Sequence, residues 1–131
     1  MNSGIKMKIG AYYRGENRTS FTVWAPHRRS VDVKVIFPRE ILIPMERQAD
    51  GYWYADITGV LPGSRYFYKL DNDLLRPDPA SFFQPEGVHG PSEVIDHRVF
   101  KWTDSEWKGI PPEKMIIYEL HVGTFTSGGT L

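Results

Sequence analysis

Apolar and polar positions alternate strictly in several short stretches between residues 20 and 70, which is the period of a half-buried strand. In residues 20–25, Phe21, Val23 and Ala25 share one face and Thr22 and Trp24 the other, and Pro26 ends the ladder because it has no N–H to donate. After the polar turn His27-Arg28-Arg29-Ser30, Val31, Val33 and Val35 alternate before Pro38, and these two segments are predicted to be adjacent strands. A third strand is predicted over residues 41–45, with Ile41, Ile43 and Met45 in phase. The Asp-Gly pair of Ala49-Asp50-Gly51 then makes a turn, since glycine tolerates positive φ, and residues 52–57 form a fourth strand. Leu61-Pro62-Gly63-Ser64 has the adjacent Pro and Gly of a type II turn and leads into a fifth strand over residues 66–70. Weaker strand signals lie at residues 8–12 and 93–95. Short strands separated by closely spaced turns predict an all-β fold, an immunoglobulin-like (early-set) antiparallel β-sandwich.

From residue 75 the texture changes. Residues 76–92 hold four prolines and two glycines with no periodicity, so the loop should be stiff without being regular. A loop of this length inside a compact domain packs on something or serves a function. Thr103-Asp104-Ser105-Glu106 has the form of a capping box and predicts one helical turn around Trp107. Gly109-Ile110-Pro111-Pro112 reads as a linker, and residues 115–122 form a mostly apolar run that fits a buried parallel strand. With no helix to follow before Leu131, this reads as a βα unit cut in two.

Composition narrows the partners. Hydrophobic residues make up 40% of 131 positions, enough to bury one core and to argue against disorder. Sixteen basic and sixteen acidic residues cancel, leaving no basic excess to drive binding to nucleic acid or to an anionic membrane. The absence of cysteine removes disulfides, thiolate metal sites and cysteine nucleophiles. No glycine-rich phosphate loop, metal-ligand cluster or Ser-His-Asp order is present, so neither a cofactor nor a metal is expected. The start of the chain lacks the apolar core of a signal peptide and no run reaches membrane-spanning length, which makes a soluble cytoplasmic protein the expectation. Aromatic residues reach 14%, and Trp and Tyr serve sandwich cores and sugar-stacking platforms alike.

Several segments resemble the α-amylase type of glycoside hydrolase, in the branch carrying an N-terminal early-set, carbohydrate-binding-module-like domain. Phe21-Thr22-Val23-Trp24-Ala25-Pro26, Gly51-Tyr52-Trp53 and Gly63-Ser64-Arg65-Tyr66-Phe67-Tyr68 carry the general likeness. Pro77-Asp78-Pro79-Ala80-Ser81 with Gln84-Pro85-Glu86-Gly87-Val88-His89-Gly90-Pro91-Ser92 is similar to the linker of malto-oligosyltrehalose trehalohydrolases. Ile117-Tyr118-Glu119-Leu120-His121-Val122-Gly123-Thr124-Phe125-Thr126 resembles the first barrel strand of the same enzymes. Phe82, where a basic residue is usual, and Ser127-Gly128-Gly129 depart from that pattern.

The resemblance implies a sandwich with its loop over residues 1–100, a linker over 101–114 and, over 115–131, the severed first strand of a (β/α)8 barrel. It implies the non-catalytic N-terminal domain of an enzyme that hydrolyses the α-1,4 bond beside the terminal trehalose of maltooligosyl-trehalose. Such chemistry needs two carboxylates flanking the bond, and in barrels of this kind they come from several strand ends. With one strand present, no catalytic residue is assigned and the acidic residues are read as solvated surface or turn formers. The implied partners are an α-glucan or maltooligosyl-trehalose, reached through the full-length enzyme, and the chain's own catalytic barrel. The apolar segment 115–122 either docks on the sandwich or pairs with its copy in a homodimer. Competing readings are the N-terminal domain of a glycogen branching or debranching enzyme, a free-standing glucan-binding module, and an immunoglobulin-like protein-interaction domain.

Trp24 is assigned to the core, since sandwiches of this kind commonly bury a tryptophan, with sugar stacking as its alternative role. Trp53 and Tyr54 face opposite ways, so at most one is buried; Trp53 is the candidate carbohydrate-stacking residue, with packing against the barrel as its alternative role. His89, in the Pro/Gly loop, is the second candidate carbohydrate contact, against a plain polar loop position. Glu119 and His121 share a face of the barrel strand, at the mouth of the active site or in a structural hydrogen bond.

Overall fold

The computed structural model describes residues 8–71 and 73–130. The expectations placed on the chain start (residues 1–7) and on its last residue, Leu131, lie outside the described residues. The chain divides after Val99 into two compact units.

The first unit is the sandwich. Its strands are β1 (Gly10–Gly15), β2 (Arg18–Trp24), β3 (Val31–Phe37), β4 (Ile41–Pro44), β5 (Glu46–Arg47), β6 (Tyr52–Thr58), β7 (Arg65–Leu70), β8 (Leu74–Arg76) and β9 (Ser92–Glu93). One sheet has the order β1-β2-β6-β5; the other runs β4-β3-β7-β8, with β9 also paired to β7. Every pairing is antiparallel. The alternating residues do what their phase requires: Phe21, Val23, Val31, Val33, Val35, Trp53, Ala55, Ile57, Tyr66 and Tyr68 turn inward and are buried together. Each large apolar side chain among them contributes about 1.5–3 kcal/mol by leaving water.

The segments expected to be adjacent, β2 and β3, lie instead in opposite sheets. Both carry a strongly apolar face, and the two faces meet across the core rather than edge to edge: Phe21 of β2 sits edge-on to Tyr66 of the opposite sheet at 4.9 Å between ring centres. The predicted third strand is two short ones, because the buried Met45 carries the chain from β4 in one sheet to β5 in the other. That crossing closes one side of the sandwich. On the other side the irregular loop between β8 and β9 passes over β1. Gly10 (φ +106°) makes the approach feasible, since a Cβ there would stand 3.0 Å from the Ala80 carbonyl oxygen. Phe82 meets Tyr12 edge-on at 5.2 Å and His97 at 4.4 Å.

In the second unit, Pro112–Lys114 forms a 3₁₀ turn and Val122–Phe125 a four-residue helix. The capping-box sequence yields a turn, closed by the Trp107 N–H donating to the Asp104 carbonyl at 2.8 Å, and no helix. Residues 115–121 have no strand partner among the described residues. A barrel strand draws its hydrogen bonds from neighbours on both edges, and none is supplied here.

Candidate functional site

The phase of β2 turns Phe21 and Val23 inward, so Trp24 must face outward, and it is 56% exposed. Its indole is nevertheless fixed: Nε1 donates to the Asp50 carbonyl at 2.9 Å. The turn that holds it, Ala49–Gly51, is seated on the strand below, with the Ala25 N–H donating to the Gly51 carbonyl at 2.9 Å. Only glycine fits there. Gly51 has φ +82°, and a Cβ would fall 2.5 Å from Cβ of Pro26.

Trp53 is the inner counterpart. The pairing of β2 with β6 sets Trp53 opposite Val23 and Tyr52 opposite Trp24, so the indole of Trp53 shares the inward face. It is 5% exposed, donates from Nε1 to the Ala25 carbonyl at 3.0 Å, and lies under the Arg47 guanidinium at 5.7 Å. The assignments of the two tryptophans therefore exchange: Trp53 is a core residue with no free face for a sugar, and Trp24 is the exposed ring.

Beside Trp24 the end of the sandwich opens into a cleft of about 440 Å³, within the ~300–1,000 Å³ range of ligand sites. Val23, Tyr68 and Leu70 give it an apolar floor, and Arg76, Gln84 and Val88 line the far side. That wall belongs to the Pro/Gly loop, held in shape by side-chain hydrogen bonds rather than by a ladder. Gln84 Nε2 donates to the carbonyls of Val88 at 3.1 Å and Gly90 at 3.4 Å. Arg65 reaches Glu86 at 2.8 Å and Glu93 at 3.2 Å.

Asp78 ties the loop to the core. It is 3% exposed, so it is neither solvated surface nor a simple turn former. Its Oδ2 accepts from the hydroxyls of Tyr66 at 2.6 Å and Tyr68 at 3.2 Å, and Oδ1 accepts from the Ala80 N–H at 2.8 Å. Its own N–H donates to Ser92 Oγ at 3.0 Å. Burial pushes the Asp78 carboxyl above its ordinary range, partly offset by the phenol and N–H donors. Burial and the adjacent carboxylate push both tyrosines upward. A buried carboxylate engaged by three protein donors in this way is a positioning group for the loop and the strand.

His89 is exposed, does not line the cleft and has no hydrogen-bond partner among the described residues, although its neighbour Val88 does line the cleft. Glu119 and His121 are exposed in the second unit. Among the described residues no group of three or more His, Asp or Glu side chains converges as metal ligands.

Sequence reasoning passed over Asp78, Arg76 and Gln84. One signal was available: Tyr66 and Tyr68 are two apart on a strand, so both phenols enter one side of the core and need a buried acceptor.

Comparison with known proteins places these features in a family. The model of carbohydrate-binding module 48 (isoamylase N-terminal domain) matches residues 8–80. The chain is 44% identical, over 91% of its length, to a malto-oligosyltrehalose trehalohydrolase of Saccharolobus solfataricus and covers 21% of that protein. A 1,4-alpha-glucan branching enzyme of Pseudoalteromonas atlantica is 31% identical over 95% of this chain, which covers 18% of it. Among solved structures, a Salmonella typhimurium protein assigned as an alpha amylase superposes with a TM-score of 0.73 at 35% identity, covering 94% of this chain and 20% of that one. A type I pullulanase of Bacillus subtilis, complexed with maltose, gives 0.65 at 26% identity over 74% of this chain and 14% of its own. The chain thus spans about a fifth of the length of the curated relatives it matches. With its early-set sandwich and a family match covering more than half of its residues, the chain belongs to the carbohydrate-binding module 48 (isoamylase N-terminal domain) family.

Proposed function

We propose that this chain serves as the non-catalytic, glucan-holding N-terminal domain of a malto-oligosyltrehalose trehalohydrolase. One observation carries the reading. The 44% identity to such an enzyme takes in 91% of the chain, so it runs beyond the family's residues 8–80 into the Pro/Gly loop and the segment that follows. Hydrolysis of a glycosidic bond needs two carboxylates on opposite sides of it. The deeply buried carboxylate of this sandwich, Asp78, is engaged by Tyr66, Tyr68 and Ala80, and the chemistry is left to other parts of the enzyme. Residues 115–122 are suited to pair with further strands of a barrel, or with their copy in a dimer.

The branching-enzyme relative supplies the alternative. Two chimeras decide between them: the Saccharolobus trehalohydrolase and the Pseudoalteromonas branching enzyme, each with its matching N-terminal fifth replaced by this chain. The trehalohydrolase chimera should release trehalose from maltooligosyl-trehalose, and the branching chimera should lose its activity. The opposite pair of results would overturn the reading.

A further inference from the structure

We propose that the Asp50–Gly51 bond is a site of spontaneous backbone isomerisation, and that the turn around it, latched by Trp24, sets the rate. The inference stands apart from the glucan-holding reading. Between β5 and β6 the chain turns through Asp50 at φ 58°, ψ 21° and Gly51 at φ 82°, both in the left-handed region. Turns of that hand favour Asp-Gly. The same dipeptide carries a chemical liability, because glycine leaves its amide nitrogen unshielded beside the aspartate carboxyl, and Asp50 is exposed. In the reaction the Gly51 nitrogen attacks Cγ of Asp50. The N–Cγ bond forms, the Cγ–O bond breaks, and the hydroxyl leaves as water with the amide proton, giving a five-membered succinimide. Water then adds to the ring. Cleavage between the nitrogen and the former main-chain carbonyl leaves isoaspartate, with the chain running through Cβ and Cγ; cleavage of the new bond restores aspartate. Nothing but water is exchanged.

The folded geometry opposes the first step. A nearly planar ring requires the Gly51 nitrogen to eclipse Cβ of Asp50 about the Cα–C bond, whereas at ψ 21° it nearly eclipses the nitrogen of Asp50 itself. Asp50 must therefore rotate out of the turn before it reacts. Three contacts resist that rotation. Trp24 Nε1 donates to the Asp50 carbonyl at 2.9 Å, the Ala25 N–H donates to the Gly51 carbonyl at 2.9 Å, and Gly51 lies so close to Pro26 that a Cβ would stand 2.5 Å away. In isoaspartate the carbonyl that accepts from Trp24 becomes part of a free carboxylate and the main chain gains a methylene. The turn then no longer closes in register, and the indole loses its seat.

The test ages the purified full chain at neutral pH, native and in urea. The tryptic peptide of residues 48–65 is followed by chromatography with electron-transfer fragmentation, which distinguishes isoaspartate from aspartate. Isoaspartate should accumulate at position 50 in urea. It should form more slowly in the native chain, by the factor that protects the Ala25 amide from hydrogen exchange, since both report opening of the turn. Trp24→Phe keeps a ring and removes the indole donor. It should speed native isomerisation about fivefold, the shift in open population that one lost hydrogen bond produces, and leave the rate in urea unchanged. Exchange of the Ala25 amide should rise by the same factor. Asp50→Glu, whose longer side chain would have to close a six-membered ring, should remove the product at this position. No isoaspartate at position 50 in urea overturns the site. Equal rates in native and unfolded wild type overturn the gate, whether or not Trp24→Phe folds. An unchanged native rate in folded Trp24→Phe overturns the latch.

Discussion

Asp78→Ala is the substitution from which the sandwich should suffer in the most informative way. It removes the acceptor for two buried phenols and one backbone N–H. Each donor left without a partner costs about 1–3 kcal/mol. Against that stands relief: the carboxylate is itself poorly solvated, as the upward displacement of its pKa records, so removing it recovers part of the loss. A net destabilisation of about 3 kcal/mol is expected, a large fraction of the ~5–15 kcal/mol that holds a domain together. Asp78→Asn should cost less, about 1–2 kcal/mol, because one oxygen remains and the phenols can rotate to accept from the new amide. Urea unfolding followed by tryptophan fluorescence measures both. The pH dependence adds a signed check. A buried acid with a raised pKa holds its proton to higher pH in the folded state than in the unfolded one. The wild type should therefore lose stability relative to Asp78→Asn as pH rises from the ordinary carboxylate range through the raised Asp78 value, and the difference should be constant above it. A loss below about 1 kcal/mol for Asp78→Ala, or a pH trend of the opposite sign, would refute the reasoning.

Trp53→Ala should cost about 3–5 kcal/mol through its core cavity; a variant of wild-type stability that had lost only sugar binding would return Trp53 to the role of platform. Gly51→Ala forces a Cβ to within 2.5 Å of Pro26 at φ +82°, so it should lower the thermal midpoint by several degrees, upwards of about 1 kcal/mol; an unchanged midpoint would mean that the turn repacks freely. Ile116 and Ile117 are 96% and 81% exposed on an unpaired apolar segment, a template for pairing with another chain. Light scattering should show concentration-dependent association that disappears when the chain ends at Gly109, and a monomer at all concentrations in both forms would rule out self-pairing.

The strands were legible because period-two alternation reports a half-buried sheet directly, and Phe21, Val23, Val31, Val33 and Val35 lie where their phase put them. What alternation does not report is which sheet a strand joins, and this is why β2 and β3 were expected to pair. Strand β8, three exposed residues long, is too short to show a period and exists because the edge of β7 offers it partners. The exchange of the two tryptophans has a simpler cause. Trp24 is in phase with Thr22 and out of phase with Val23, so the local phase of β2, and not the general tendency of sandwiches to bury a tryptophan, decides which ring faces outward. The capping-box sequence at residues 103–106 could not hold a helix, since a single turn has too few hydrogen bonds to repay its nucleation and no buried face to dock.

The Pro/Gly loop links sequence to function most directly. Its prolines restrict the unfolded chain, so less entropy is lost when the loop is fixed. What fixes it is spread along its length: Asp78 at the start, bound to β7 through two tyrosines; Gln84 across the middle; the Glu93 N–H donating to the Phe83 carbonyl at 2.9 Å near the end. A loop secured at both ends and across its middle can act as a wall without being a strand. The cleft beside Trp24 is therefore present before any ligand reaches it, with the ring on one side held by Asp50 and the polar edge on the other held by Gln84. Loosening either wall should change the shape of the cleft. By this argument Asp78, engaged by three donors, matters to the cleft through the place it gives to Arg76 and Gln84.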